Sequence, residues 1–307
     1  MTDYVITTKQ LTKKYGSVPA LDKVNLHVPK GCIYGLIGDN GAGKSTLLKI
    51  LAGQSFATQG EIQLLGQSEE KGLEAVRRKT GCIIEQPGFF PNMTVEQTLR
   101  YYGIQKGVPD SGKVQEMLKL TGLTDKRKSL CRNLSLGQKQ RLGLGIAMIG
   151  QPQLLILDEP INGLDPSGIK EFRRLLLNLN QEKNITILIS SHILSELQQL
   201  ATVYGFLYKG QLLEEISEEK LKDKCADCIE IKVSEIEKFS MLLEKAFPQI
   251  EFTVLPQGLL RIYHPTEKPE AYSKLALDAR ICITGMDILS TSLEDYYIEL
   301  KEGGKRR

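Results

Sequence analysis

Short, unbroken apolar runs alternate with amphipathic stretches over roughly the first 215 residues. CIYGLIG (Cys32 to Gly38), LLILD (Leu154 to Asp158) and ITILIS (Ile185 to Ser190) show no polar face, which predicts parallel strands buried on both sides. KSTLLKILAG (Lys44 to Gly53) and IKEFRRLLLNLNQEK (Ile169 to Lys183) instead carry the helical spacing, and Gly53 is placed to end the first of them. Ahead of these, YVITTKQLTKKYGSVPALDKVNLHVPKG mixes β-branched runs with turn residues and proline, which predicts an antiparallel β layer. Past Gly210 the pattern changes. A charged helix, SEEKLKDK, leads into strand IEIKV, helix SEIEKFSMLLEKAF, strands EFTVL and LLRIYH across a PQG turn, helix EKPEAYSKLALDA, strand ICITGMDI and helix SLEDYYIELK. That βαββαβ order predicts a ferredoxin-like α+β unit of about 80 residues. The expected organisation is therefore an α/β domain over 1–215 and an accessory α+β domain over 216–307.

Composition narrows the class. With 41% hydrophobic and 25% charged residues the chain is not broadly disordered, and a net charge of +3 gives no ground for a nucleic-acid partner. No apolar run reaches the ~18 residues a membrane-spanning helix needs, and MTDYVITTKQ lacks the layout of a secretory signal, so a cytoplasmic protein is expected. The six scattered cysteines suit a reducing compartment. Cys225 and Cys228 form one CxxC, open to metal or redox use or to packing at a strand edge, with no second ligand pair beside it. The basic GGKRR end reads as a frayed terminus or a contact for anionic lipid.

Chemistry concentrates at strand ends. GDNGAGKST spans Gly38, Asp39, Asn40, Gly41, Ala42, Gly43, Lys44, Ser45 and Thr46; it satisfies GxxxxGK[ST] after an apolar strand and before a helix. Its glycines let successive N–H groups converge on phosphate, Lys44 adds a full positive charge, and the Ser45 hydroxyl suits Mg2+. LLILDEP delivers Asp158 and Glu159 to a strand's carboxyl end, Asp158 for Mg2+ and Glu159 to polarise an attacking water. SSH ends a third strand and sets His192 at the same edge, suited to a γ-phosphate; His27 and His264 receive no role. NLSLGQKQRLG is a helix start with a serine cap, glycines and no apolar stripe in its first turn, the form of an anion site whose ligand comes from elsewhere.

The P-loop, LSLGQ, LLILDEP, NGLD and SSH, in this order over residues 4 to 215, resemble the ATP-binding subunit of a bacterial ABC transporter. The resemblance implies a P-loop ATPase whose helical subdomain lies at about 88–150 and which hydrolyses ATP with Mg2+. It also implies a homodimer or heterodimer of such subunits at the cytoplasmic face of the membrane, coupled to an integral membrane permease on a separate chain. Across that dimer Ser135, Gly137 and Gln138 would meet the partner's ATP, with Leu136 narrowing the approach where the family usually has glycine. Tyr15 resembles the aromatic that stacks on adenine, with Tyr4 a competitor and ordinary sheet packing open for both. Asn162 to Asp165 resembles the loop joining the two ATP sites. IIEQPGFFP puts Glu85, with Gln86 beside it, where the family has a metal-sensing glutamine, so Glu85 is a candidate metal ligand that adds negative charge near the triphosphate. Phe89, Phe90, Tyr101 and Tyr102 either line the groove that receives the membrane partner or fill the subdomain's core; Phe89 and Phe90 are expected in the groove.

IEQPGFFPNMT, ILDEPINGLDP, SSHILSELQQLA and SLEDYYIEL resemble the bacitracin and lantibiotic-immunity exporter branch, which implies export of antimicrobial peptides. Export of another drug, ion or lipid-linked substrate is the alternative. A soluble ABC ATPase acting on ribosomes or DNA fits less well, because the chain has one P-loop and no sustained heptad run.

Overall fold

The structure, a computed structural model, describes residues 3–85, 88–224, 228–255, 258–263, 265–289 and 293–303. Gln86, Pro87, Cys225, His264 and residues 304–307, singled out above, lie outside these. Contacts divide the chain into two compact units, Met1–Ser217 and Glu218–Arg307.

In the first unit a six-stranded sheet runs in the order β10-β9-β4-β8-β7-β6, from β4 (Ile33–Ile37), β6 (Thr80–Ile83), β7 (Leu154–Asp158), β8 (Thr186–Ser191), β9 (Val203–Tyr208) and β10 (Gln211–Ser217). All neighbours are parallel except β10 on β9. Every residue of β4, β7 and β8 is buried, as their unbroken apolar runs require. Ile37 pairs with Ser191 and Asp158 with Ser190, so three carboxyl ends finish level along one edge. That edge is where α/β sheets gather ligands.

The predicted antiparallel layer consists of β1 (Tyr4–Tyr15), β2 (Val18–Val24), β3 (His27–Pro29) and β5 (Gln59–Leu64), with β2, β3 and β5 each pairing with β1. Between layer and sheet packs α1 (Lys44–Leu51), whose Leu47, Leu48, Ile50 and Leu51 join Leu21, Leu26 and Val28 in one core. This wedge fixes the P-loop from behind. The core sheet and the layer also meet through Tyr34, which is fully buried: its hydroxyl donates to Glu215 Oε1 at 2.7 Å, and Glu215 Oε2 lies 2.8 Å from His27 Nδ1. Burial first, then the Glu215 charge, pushes the Tyr34 phenol well above its ordinary range, which keeps it a donor. The ring can sit there because residue 205 is glycine, where a Cβ would fall 2.1 Å from the Tyr34 hydroxyl.

After α2 (Glu70–Arg78) and β6 come α3 (Val95–Gln105), α4 (Ser111–Leu120) and α5 (Leu136–Met148), followed beyond β7 by α6 (Pro166–Lys183) and, after β8, by α7 (Leu194–Gln198). Thr94 and Gln97 close a reciprocal cap on α3. α6 begins three residues before the Ile169 start expected from its apolar spacing, because Asp165 accepts from the Gly168 N–H at 3.3 Å and Pro166 supplies a preset first turn.

The second unit carries α8 (Glu218–Lys224), β11 (Cys228–Val233), α9 (Ile236–Ala246), β12 (Glu251–Leu255), β13 (Leu259–Tyr263), α10 (Pro269–Asp278), β14 (Ile283–Leu289) and α11 (Leu293–Gly303). Its strands form an antiparallel sheet in the order β12-β13-β11-β14, with α9 and α10 on one face over Ile229, Ile231, Leu260 and Ile262. Cys228 is buried at the start of β11, and no metal-holding group of His, Cys, Asp or Glu occurs among the described residues. No described helix is long and apolar enough to cross a membrane.

Candidate active site

Three strand ends and one helix start build the site. β4 delivers the loop Gly38–Gly43, and Gly43 caps α1 with φ +109°, a conformation that L side chains rarely adopt. A Cβ on Gly43 would fall 2.6 Å from the Ala20 carbonyl oxygen, so the close approach of P-loop and β2 requires glycine. At Gly41 a Cβ would meet no atom within 4 Å, which leaves the cradle open to a ligand. Lys44 is 4% exposed; its Nζ donates to the Gly38 oxygen at 2.7 Å and the Asp39 oxygen at 3.2 Å and lies 3.3 Å from Glu159 Oε1. Ala42 is buried, Ser45 and Thr46 half-buried in the first turn, and Asp39 and Asn40 exposed on the loop.

Glu159 is turned into the site by its own backbone, φ +45°, held where its N–H meets Ser190 Oγ at 3.0 Å. Its carboxylate collects three partners. Besides Lys44, His192 Nδ1 lies 3.0 Å and Asn162 Nδ2 3.3 Å from Oε2. Asp158, 4% exposed, accepts from Ser190 Oγ at 2.6 Å, and no cation lies within ion-pairing distance of it among the described residues. A buried carboxylate with no ion pair of its own fits a hard divalent cation with oxygen ligands. Ser190, which braces both acids, has no role predicted from the sequence; the signal was its place in SSH, one residue from the strand end.

Glu85 is placed otherwise than a metal ligand. It is 67% exposed, its carboxylate is taken by Lys49 Nζ at 2.5 Å, and its backbone is left-handed at φ +63°. The hydrogen bond to Glu85 raises the Lys49 pKa above its ordinary range, with lesser contributions from Tyr15 and Asp158. Lys49, four residues after Ser45 and so on the same face of α1, was missed from the sequence. Tyr15 stands 55% exposed at the end of β1, with Lys13 Nζ 5.0 Å from its ring centroid. Tyr4 is no competitor for the same ligand: it occupies the opposite end of the strand, on the order of 30 Å away, its ring tilted against that of His27.

The LSLGQ helix start carries the serine cap expected of it, closed in return by Gln138. Ser135 Oγ accepts from the Gln138 N–H at 3.3 Å and Gln138 Oε1 accepts from the Ser135 N–H at 3.1 Å, a reciprocal cap. The N–H groups of Leu136 and Gly137 are left without an intrahelical acceptor by position. Leu136, 44% exposed, lays its Cδ2 over Gly163 of the 162–165 loop. Phe90 is 48% exposed and meets Tyr101 edge-on at 5.3 Å, Phe89 is half-buried, and the Tyr102 hydroxyl donates to the Gly88 oxygen. The groove beside them, about 690 Å³, is lined by Tyr102, Gln105 and Lys106 of α3 with Arg77, Cys82 and Ala147, and not by either phenylalanine.

A phosphate cradle, a strand-end acid pair and a histidine on one sheet edge define an ATPase site, and comparison with known proteins agrees. The ABC transporter family model matches residues 21–162. The bacitracin transport ATP-binding protein BcrA of Bacillus licheniformis is 40% identical over 300 residues, 98% of each chain. The lantibiotic transport ATP-binding protein SrtF of Streptococcus pyogenes is 42% identical over 211 residues, 69% of this chain and 90% of that one. A solved dimeric ATP-binding cassette in a post-hydrolysis state, bound to ADP and Pi, matches with TM-score 0.63 and 25% identity over 69% of this chain and 98% of its own. The chain belongs to the ABC transporter family, as an ATP-binding subunit that hydrolyses ATP.

Proposed function

We propose that this chain powers export of membrane-active peptide antibiotics of the bacitracin or lantibiotic kind. The observation that carries the cargo is the 40% identity to BcrA along 98% of both chains, which extends the likeness through the second unit. Two copies, or this chain and a similar subunit, close head to tail on two ATP molecules at the cytoplasmic face of the membrane, and a permease on a separate chain converts closing into transport. ATP favours the closed pair because it touches both faces only there, and hydrolysis removes that difference.

Within the site the P-loop N–H groups and Lys44 hold the β- and γ-phosphates, and Tyr15 offers its exposed ring to adenine. Glu159 accepts a proton from the attacking water while His192 holds the acid from the other side and meets the γ-phosphate. Ser135 and the N–H groups at Leu136 and Gly137 receive the partner's γ-phosphate, since the Ser135 oxygen accepts from Gln138 and keeps its own O–H to donate. Mg2+, when bound, neutralises charge on the phosphate oxygens; Ser45 and Asp158 are the residues that would hold it. The Phe90 and Tyr101 surface beside the α3 groove is the receiving face for the permease.

Deletion of the gene in the host is expected to lower the minimal inhibitory concentration of bacitracin or a lantibiotic severalfold, with restoration by the wild-type chain and not by Glu159→Gln. Unchanged sensitivity to both classes sinks the cargo assignment. Tagged Glu159→Gln protein is further expected to bring down a polytopic membrane protein from solubilised membranes with Mg-ATP; ribosomal or DNA-bound proteins in its place point to a soluble ATPase. Glu85, an added negative charge near the triphosphate, is expected to raise the Mg2+ requirement. Glu85→Gln should then lower the Mg2+ concentration for half-maximal turnover about threefold, a small effect because the pair with Lys49 is solvated. A titration with unchanged midpoint and rate removes Glu85 from the site.

A further inference from the structure

His192 reaches Glu159 from the end of β8, and the chain just past it is weakly built. α7 spans five residues, too few to hold a helix by its own hydrogen bonds. Locally His192 is fixed by the turn in which the Ile193 N–H donates to Ser191 Oγ at 2.9 Å. Beyond that turn the position of α7 depends on tertiary contacts. One is Leu197, fully buried. Another is a fork from α6: Arg173 Nη2 donates to Glu196 Oε2 and Nη1 to Gln199 Oε1. Arg173 and Glu196 are 19% and 18% exposed, so the pair is largely shielded from water. The two acceptors are three residues apart, on one face of the helix end. Arg173 Nε is buried with no hydrogen-bond partner among the described residues, a cost borne while both outer nitrogens serve α7.

The fork's other end leads back to the site. α6 is capped by Asp165, the last residue of the loop whose Asn162 donates to Glu159 Oε2. Arg173 stands eight residues along α6 from that cap, about 12 Å of helix, and Phe172 and Leu176 bury the helix on either side of it. The acid is thus contacted by two residues, Asn162 and His192, that sit at the ends of elements joined by Arg173.

We infer that Arg173 is a positioning residue for hydrolysis: it fixes α7 to α6 and thereby sets His192 against Glu159 in register with the 162–165 loop. The inference rests on the reading of His192 as a residue of the ATPase site. Displacing a reacting group by about 1 Å costs on the order of a hundredfold in rate, so a loosened α7 should reduce turnover while leaving the P-loop's grip on ATP intact.

The test is a mutant cycle in the full chain, with kcat and KM for Mg-ATP and the melting temperature measured for each variant. His192→Ala is expected to lose about a hundredfold or more in kcat. Arg173→Gln should lose about tenfold in kcat with KM within about twofold, and should cost nothing more when added to His192→Ala, because its effect passes through His192. Arg173→Lys, which keeps the charge on Glu196 and gives up one arm, should recover part of the loss. Should Arg173→Gln fail to fold, Gln199→Ala removes one acceptor at an exposed position and is expected to lose about threefold, again absorbed by His192→Ala. Equal losses in the wild-type and His192→Ala backgrounds overturn the inference, as does a lowered melting temperature with kcat unchanged. Wild-type turnover by His192→Ala instead overturns the site reading beneath it.

Discussion

Glu159→Gln is expected to reduce ATP turnover by at least about a hundredfold while ATP binding survives, and to hold the chain as a nucleotide-bound dimer. The amide preserves the size and the acceptor that Lys44 Nζ meets at 3.3 Å, so the phosphate cradle is not disturbed. It removes the base, and general-base groups contribute about 10²- to 10⁴-fold. It also removes one negative charge from a site that must accommodate the γ-phosphate, which favours the ATP-loaded state over the empty one. Gel filtration with Mg-ATP should show a dimer for Glu159→Gln and mostly monomer for the wild type, which turns its nucleotide over. A variant that hydrolyses at the wild-type rate, or that never dimerises in ATP, contradicts the role given to Glu159.

Gly43→Ala should abolish ATP binding for a different reason. The left-handed backbone at φ +109° and the Ala20 oxygen 2.6 Å from the added methyl act together. Strain of this kind is worth about 1–3 kcal/mol, and the Leu21 methyl at 2.9 Å adds to it. For a unit of this size about 3 kcal/mol lowers the melting temperature on the order of 10 °C. Gly41→Ala is the comparison: its φ of +82° strains an L residue too, but with no atom within 4 Å of its Cβ it adds no clash, so it should lower the melting temperature by less than Gly43→Ala and still weaken nucleotide binding, because the methyl enters the cradle. Differential scanning fluorimetry with and without ATP separates the two, and equal melting temperatures for both variants defeat the argument.

Much of the site is legible in the chain because backbone chemistry is local. An apolar strand followed by GDNGAGKST admits few foldings, and LLILD and ITILIS place their acid and histidine by running out of apolar residues at the sheet edge. What the sequence does not show is which partner each side chain chooses. Glu85 pairs with Lys49, thirty-six residues away in the chain, and neither the spacing nor the charge of either residue announces the match. Ser135 is legible as a cap, and the reciprocal bond with Gln138 takes up that one N–H while those of Leu136 and Gly137 stay available. The start of α6 went unseen because apolar periodicity begins later than the cap: Asp165 and Pro166 form the first turn before any residue needs burying. Arg173 shows nothing in sequence, since a cation on an amphipathic helix is ordinarily a solvated one.

The contact between Tyr34, Gly205 and Glu215 restricts how descendants of this chain can diverge. A hydroxyl that would stand 2.1 Å from a Cβ forbids any side chain at position 205 while the tyrosine is kept, and loss of the tyrosine strands Glu215 with the His27 ring as its remaining side-chain partner in the cluster. Position 205 can drift only together with position 34. Among relatives, a residue larger than glycine at 205 should therefore travel with a residue smaller than phenylalanine at 34, since the ring carbons of residue 34 would themselves lie 2.8 and 2.9 Å from a Cβ there, and lineages that changed residue 205 alone should be missing.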